Sequence, residues 1–178
     1  GNTNPDVVRR ISAETGIIDT IAGSWAQGFA GDGGPAIQAK LKDPEDVAVD
    51  SYGNLFIADT ANARVRKVDA RTQSITTVVG NGRREYAGDG GPAISAAISY
   101  PEAIVIDSDD NLWILDGGMD SNSNRRIRKV DRSSGNILTV AGNGERGYSG
   151  DNGPATLAKI FAKGIAVDAF GNVYIADA

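Results

Sequence analysis

Short apolar runs separated by turn residues recur along the whole chain. Val47-Ala48-Val49 leads to Tyr52-Gly53-Asn54, and Leu55-Phe56-Ile57-Ala58 follows as a second run. After a polar loop, Val65 to Asp69 alternates apolar and polar, the pattern of a half-exposed strand. Gln73-Ser74 turns the chain into a fourth run, Ile75 to Val79, closed by Gly80. The pattern predicts four short strands with tight turns, then a long Gly-rich connection. The tail of that connection, Pro35 to Leu41 in its first occurrence, predicts one or two helical turns. Pro at the first position loses no hydrogen bond there. The 3.6-residue periodicity of a helical solenoid is absent.

The unit occurs three times. Gly31-Asp32-Gly33-Gly34-Pro35-Ala36 returns as Gly88 to Ala93 and, with Asn152 for the second Gly, as Gly150 to Ala155. Asp50 to Asp59 returns as Asp107 to Asp116 and as Asp168 to Asp177. Val65-Arg66-Lys67-Val68-Asp69 is matched by Ile127 to Asp131 and more loosely by Val8-Arg9-Arg10-Ile11. Four antiparallel strands per unit, in tandem, predict an all-β protein built of four-stranded β-propeller blades. The segments 47–50, 53–59 and 62–65, with Thr76 to Gly80 and the Gly-Asp-Gly-Gly-Pro loop, resemble the NHL repeat in its long-loop bacterial form. Ala63 and Arg125 stand where that repeat usually has His. The resemblance implies a six-bladed ring, a role in binding and assembly, and a location outside the cytoplasm, extracellular or periplasmic.

The phase of the repeats divides the chain unevenly. With strands lettered A to D from the propeller axis outwards, strands C and D fall at 7–23, whole blades at 45–80 and 102–142, and strands A and B at 163–178. That is three blades per chain, a single propeller half, whereas closed propellers have roughly 4–8. The expected partner is a second copy: a two-fold homodimer completes six blades, each chain lending its end strands to a composite blade. A three-repeat piece excised from a longer array, by nature or by design, is the competing explanation.

Composition narrows the chemistry. The 178 residues include no Cys and no His. Disulfides, thiolate zinc sites and His-based catalytic triads are therefore excluded. The net charge of -5 and the lack of a basic stripe argue against nucleic acid. No apolar run approaches the ~20 residues of a membrane span. No cofactor is expected.

Candidate residues lie in the long loops. Asp32, Asp89 and Asp151 form either a ring of cation-binding carboxylates or, preferred because they recur in every unit, caps for the following helical turn. Phe29, Tyr86 and Tyr148 stand three residues before them and either stack on a ligand or pin the loop. Trp25 has no aromatic counterpart, since Gly82 and Gly144 occupy its place. Arg83 and Arg84 give the second unit a basic spot. Arg64, Arg66, Lys67, Arg126, Arg128 and Lys129 read as ion-pair partners of Asp59 and Asp116. Asp107 to Asn111 reads as a hairpin turn rather than a calcium loop, with Asp110 in the Gly position. Trp113 reads as core. The insert 116–124 is polar and carries no motif.

The loops from strand D to strand A and from B to C share one face. Trp25, Asp32, Arg83, Arg84, Tyr86, Asp89, Tyr148 and Asp151 are therefore the candidate binding residues, for a protein or a small ligand. The leading reading is a non-catalytic scaffold. The alternative is a propeller lyase or hydrolase using a calcium ion held by channel carboxylates, which metal analysis of purified protein would distinguish.

Overall fold

A computed structural model describes residues 5–118 and 124–178. Their strands are β1 (Val8–Ile11), β2 (Ile18–Ala22), β3 (Pro44–Val49), β4 (Leu55–Asp59), β5 (Arg64–Val68) and β6 (Ile75–Val79). They continue with β7 (Pro101–Ile106), β8 (Leu112–Asp116), β9 (Arg126–Val130), β10 (Ile137–Ala141), β11 (Ala162–Val167) and β12 (Val173–Asp177). β3 to β6 and β7 to β10 form two antiparallel four-stranded sheets in chain order. β1–β2 and β11–β12 form two-stranded sheets. The chain is all-β and blade-built.

Hairpin chemistry sets each A–B turn. Gly53, Asp110 and Gly171 carry positive φ of 80°, 61° and 84°. Asp and Gly accept that conformation most readily, which explains Asp110 in the glycine position. The preceding Asp50, Asp107 and Asp168 accept the backbone N–H of Asn54, Asn111 and Asn172. The segment 107–111 is thus a hydrogen-bonded turn. Asp110 adds a link between blades, accepting the N–H and hydroxyl of Ser51 at 2.8 and 2.6 Å.

Strand A of each unit packs beside strand A of the next, β3 against β7 and β7 against β11. The apolar clusters span neighbouring units. One joins Val8 and Ala22 to Ile57 and Ile75. A second joins Ala58 and Val65 to Ile104 and Ile114. A third joins Trp113 and Leu115 to Ala162. Each blade therefore depends on its neighbour for its core, as in other repeat arrays.

Two expectations change. Pro35, Pro92 and Pro154 do not open the short helices Ala36–Gln38, Ala93–Ser95 and Ala155–Leu157; they precede them as cap residues. Strand β5 is not a simple alternation either. A bulge lies between Val65 and Arg66, and both side chains are fully buried. A bulge bends the strand and re-aims a side chain, and it carries Arg66 beneath the long loop. The insert noted at 116–124 lies largely outside the described residues.

Candidate functional site

The long D–A loops and the B–C loops meet on one face. Asn62 Nδ2 donates to the Gly28 carbonyl at 2.8 Å, Arg84 Nη2 to that of Ala61 at 2.9 Å, and Asn124 Nδ2 to that of Glu85 at 3.0 Å.

Beneath this face lies a buried guanidinium in each whole blade. Arg66 and Arg128 have no exposed side-chain surface. Arg66 Nη2 donates to Asp32 Oδ1 at 2.6 Å, and its Nη1 lies 3.4 Å from Asp59 Oδ2. Arg128 repeats this with Asp89 at 2.6 Å and Asp116 at 3.9 Å. Main-chain carbonyls of Ala30 and Lys40 accept further donors of Arg66, and those of Ala87 and Ala97 further donors of Arg128, whose Nε is buried without a hydrogen-bond partner among the described residues. An aromatic ring covers each group. Phe29 lies 3.9 Å from the Arg64 guanidinium and 4.9 Å from that of Arg66. Tyr86 lies 3.8 and 5.0 Å from Arg126 and Arg128. Loop aspartate, buried arginine, strand-B aspartate and aromatic lid form one clasp per whole blade.

This corrects the capping assignment. None of the three short helices receives a side-chain cap. Asp32 and Asp89 instead give a buried arginine a second and closer carboxylate beside Asp59 or Asp116. Thr77 Oγ1 and the Thr139 N–H donate to the second oxygen of Asp32 and Asp89, respectively. Those two carboxylates are therefore engaged rather than presented to a cation.

Electrostatics follow the geometry. Burial pushes the Asp116 carboxyl up from its ordinary range, against hydrogen bonds from Asn124 and two backbone amides and the charge of Arg128. Asp59 is raised for the same reason. Asp89 goes the other way. Its partial burial is outweighed by bonds from Thr139 and Tyr86 and by the Arg128 charge, and its carboxyl is held low. On the exposed C–D turn, the Ser133 hydroxyl and the N–H and hydroxyl of Ser134 hold Asp131 down to about 2. A group depressed in the folded state contributes stability above its unfolded pKa and loses it as pH falls through the folded value. Wild-type protein and Asp131→Asn should therefore differ in unfolding midpoint at neutral pH, the wild type being higher. The gap should close between about pH 4 and pH 2. Parallel curves through that window would contradict the assignment.

The remaining candidates are dispersed. Arg83 is exposed and lies 3.6 Å from Glu85. Arg84 lies 4.2 Å over Tyr100. Trp25 is 82% exposed and Tyr148 75%. Asp151 is exposed and accepts the Tyr148 hydroxyl at 2.6 Å. Among the described residues, no group of three or more Asp or Glu side chains is placed to hold a metal ion. Sequence reasoning missed Arg9. It is exposed at the position of Arg66 and Arg128, with the same bulge beside it. The loose Val-Arg-Arg-Ile match was its signal.

Comparisons agree with this architecture. A model of the teneurin NHL domain matches residues 23–87, and a β-propeller repeat model matches residues 148–176. Teneurin-1 of Homo sapiens is 33% identical over 112 residues, covering 58% of this chain and 4% of that protein. Teneurin-1 of Gallus gallus is 29% identical over 127 residues, covering 64% and 5%. The chain thus spans a small fraction of these relatives. A protein of unknown function from Bacteroides thetaiotaomicron superposes with a TM-score of 0.72 at 20% identity, over 98% of this chain and 40% of the other. An auxiliary nutrient binding protein of the same organism superposes with a TM-score of 0.65 at 20% identity, over 98% and 41%.

Proposed function

The chain is an array of NHL-type β-propeller repeats, and from that premise we propose that it is a non-catalytic binding scaffold. Two copies close a six-bladed ring, and the loop-rich face of the ring meets a protein or small ligand outside the cytoplasm. One observation carries the reading. β1–β2 and β11–β12 form separate two-stranded sheets; matched to the repeat, they read as strands C and D and strands A and B, so that each copy would hold the half that the other needs. Among the described residues each two-stranded sheet has an edge without a strand partner, and Ile11 and Tyr174 are exposed, both of which favour association. The non-catalytic reading rests on the clasps, because the most prominent carboxylates of that face, Asp32 and Asp89, are bound to arginine. Arg83 and its surroundings in the second unit remain open to a ligand.

Light scattering on the purified 178-residue chain tests the ring. The expected particle has twice the 18.5 kDa chain mass and a ring-shaped scattering profile. A compact particle of one chain's mass at micromolar concentration overturns it.

A further inference from the structure

Three features of the unit β1–β2 depart from its counterparts. Arg9 holds the place of Arg66 and Arg128 yet is exposed, and it forms no ion pair among the described residues. Val7 replaces Arg64 and Arg126, and Trp25 replaces Gly82 and Gly144. The last two changes belong together. A Cβ at Gly82 would collide with the Arg64 guanidinium, and one at Gly144 with that of Arg126. Gly82 and Gly144 also hold positive φ of 87° and 93°, which Trp25 does not share, so in the first unit the arginine is absent, the backbone has left that conformation and the position carries a tryptophan. Val7, Arg9, Thr20, Trp25 and Ile37 line an open groove of about 440 Å³.

The loop before β11 shows the complementary vacancies. Tyr148 corresponds to Phe29 and Tyr86 but is 75% exposed and, among the described residues, shows no arginine over its ring, and Asp151 corresponds to Asp32 and Asp89. Asp177 corresponds to Asp59 and Asp116, and accepts a backbone N–H from Phe161 as those accept one from Lys42 and Ser99. Ile11 is 68% exposed where Val68 is 4%, and Tyr174 is 59% exposed where Trp113 is 6%.

We propose that a third clasp is assembled between two copies of this chain: Arg9 of one enters between Asp151 and Asp177 of the other, and Trp25 packs against the other copy's Tyr148. The inference rests on the ring-closing reading and names the residues that close it. Charge complementarity and the register of the whole blades fix the fit. In β4–β5, Ile57 lies opposite Arg66 and Phe56 opposite Lys67. The same register sets Ile175 opposite Arg9 and Tyr174 opposite Arg10. Thr20, in the place of Thr77 and Thr139, then faces the second oxygen of Asp151. Trp25 occupies the space that the Arg64 guanidinium fills over Phe29, so an aromatic pair replaces a cation–π contact. The two-fold axis makes two such seams per ring.

Arg9→Glu, Trp25→Gly and the double variant Val7→Arg/Trp25→Gly test this by sedimentation over a concentration series. Arg9 and Trp25 are exposed and Val7 is half-buried in the single chain, so an unchanged circular dichroism spectrum is expected for the two single variants and is the folding check for the double one. Arg9→Glu should weaken the dimer by at least about a thousandfold, about thirtyfold at each seam. Trp25→Gly should weaken it by about tenfold or more, and adding Val7→Arg should restore it to within about threefold, because the pair then matches the other clasps. If the wild type is a dimer and Arg9→Glu dimerises equally well, the clasp is wrong while the ring stands. If Trp25→Gly is neutral, or the double variant does not recover, the Trp25 contact is wrong. A wild-type chain of single mass removes both readings.

Discussion

Arg128→Met unfolds at a lower urea concentration than the wild type, by about 3–5 kcal/mol, although methionine fills much of the same volume. The size follows from what is left behind. Asp116 is fully buried, and the guanidinium 3.9 Å away is its compensating charge. Asp89 loses its 2.6 Å charge-assisted bond at the same time. Breaking one side of a buried pair leaves an uncompensated ion, which is far worse than exchanging the whole pair for apolar groups. The deficit should depend on pH. Burial already raises the Asp116 carboxyl. Removing Arg128 raises it further, and protonation then relieves the unpaired charge. The gap between variant and wild type should therefore narrow on going from about pH 7 to about pH 4.5. A loss below about 1 kcal/mol at pH 7 would mean that water reaches Asp116 and that the clasp is not a structural requirement.

The second large effect is Trp113→Ala, expected to cost about 3–5 kcal/mol. Trp113 is 6% exposed and belongs to the cluster joining the second whole blade to β11–β12. Its indole N–H donates to Asp107 Oδ2 at 2.8 Å, and Lys129 Nζ lies 4.8 Å from its ring. Truncation removes the packing of one unit on the next and a donor that helps hold the Asp107 carboxyl low. The loss should be uneven. Hydrogen exchange in β11 and β12 should quicken more than in β3 to β6, because those strands rely on this cluster. Trp113→Phe, which places at this position the residue that the first blade carries there, should cost less. Uniform loss of protection across all strands would show that the blades unfold as one unit instead.

Much of the fold was legible because its signals are local. Strand, turn and loop positions follow from period-two patterning and from residues that tolerate positive φ, such as Gly53, Asp110 and Gly171. The internal repeat then multiplied each weak local signal by three. The destination of the loop carboxylates was not legible. Asp32 carries the residue type and position of a helix cap, yet its partner Arg66 lies 34 residues onward. Asp89 finds Arg128 39 residues away. The Val65 to Asp69 pattern predicts a half-exposed strand with Arg66 paired to Asp59; that pair forms, but beside the bulge Arg66 is fully buried. Trp25 stood out as irregular, but its pairing with Val7 emerged only once the space at Gly82 and Gly144 was seen to be filled by arginine.

The amino-acid order alone settled the strands, their turns, their grouping in fours and the threefold repetition, since each depends on a residue and its near neighbours. The pairing of Arg66 with Asp59 and of Arg128 with Asp116 was legible too, but tertiary structure alone decided that these charges are buried and that Asp32 and Asp89 join them. Burial and pairing are properties of surfaces brought together from distant parts of the chain, and a guanidinium enters a core only where two carboxylates and an aromatic ring converge on it.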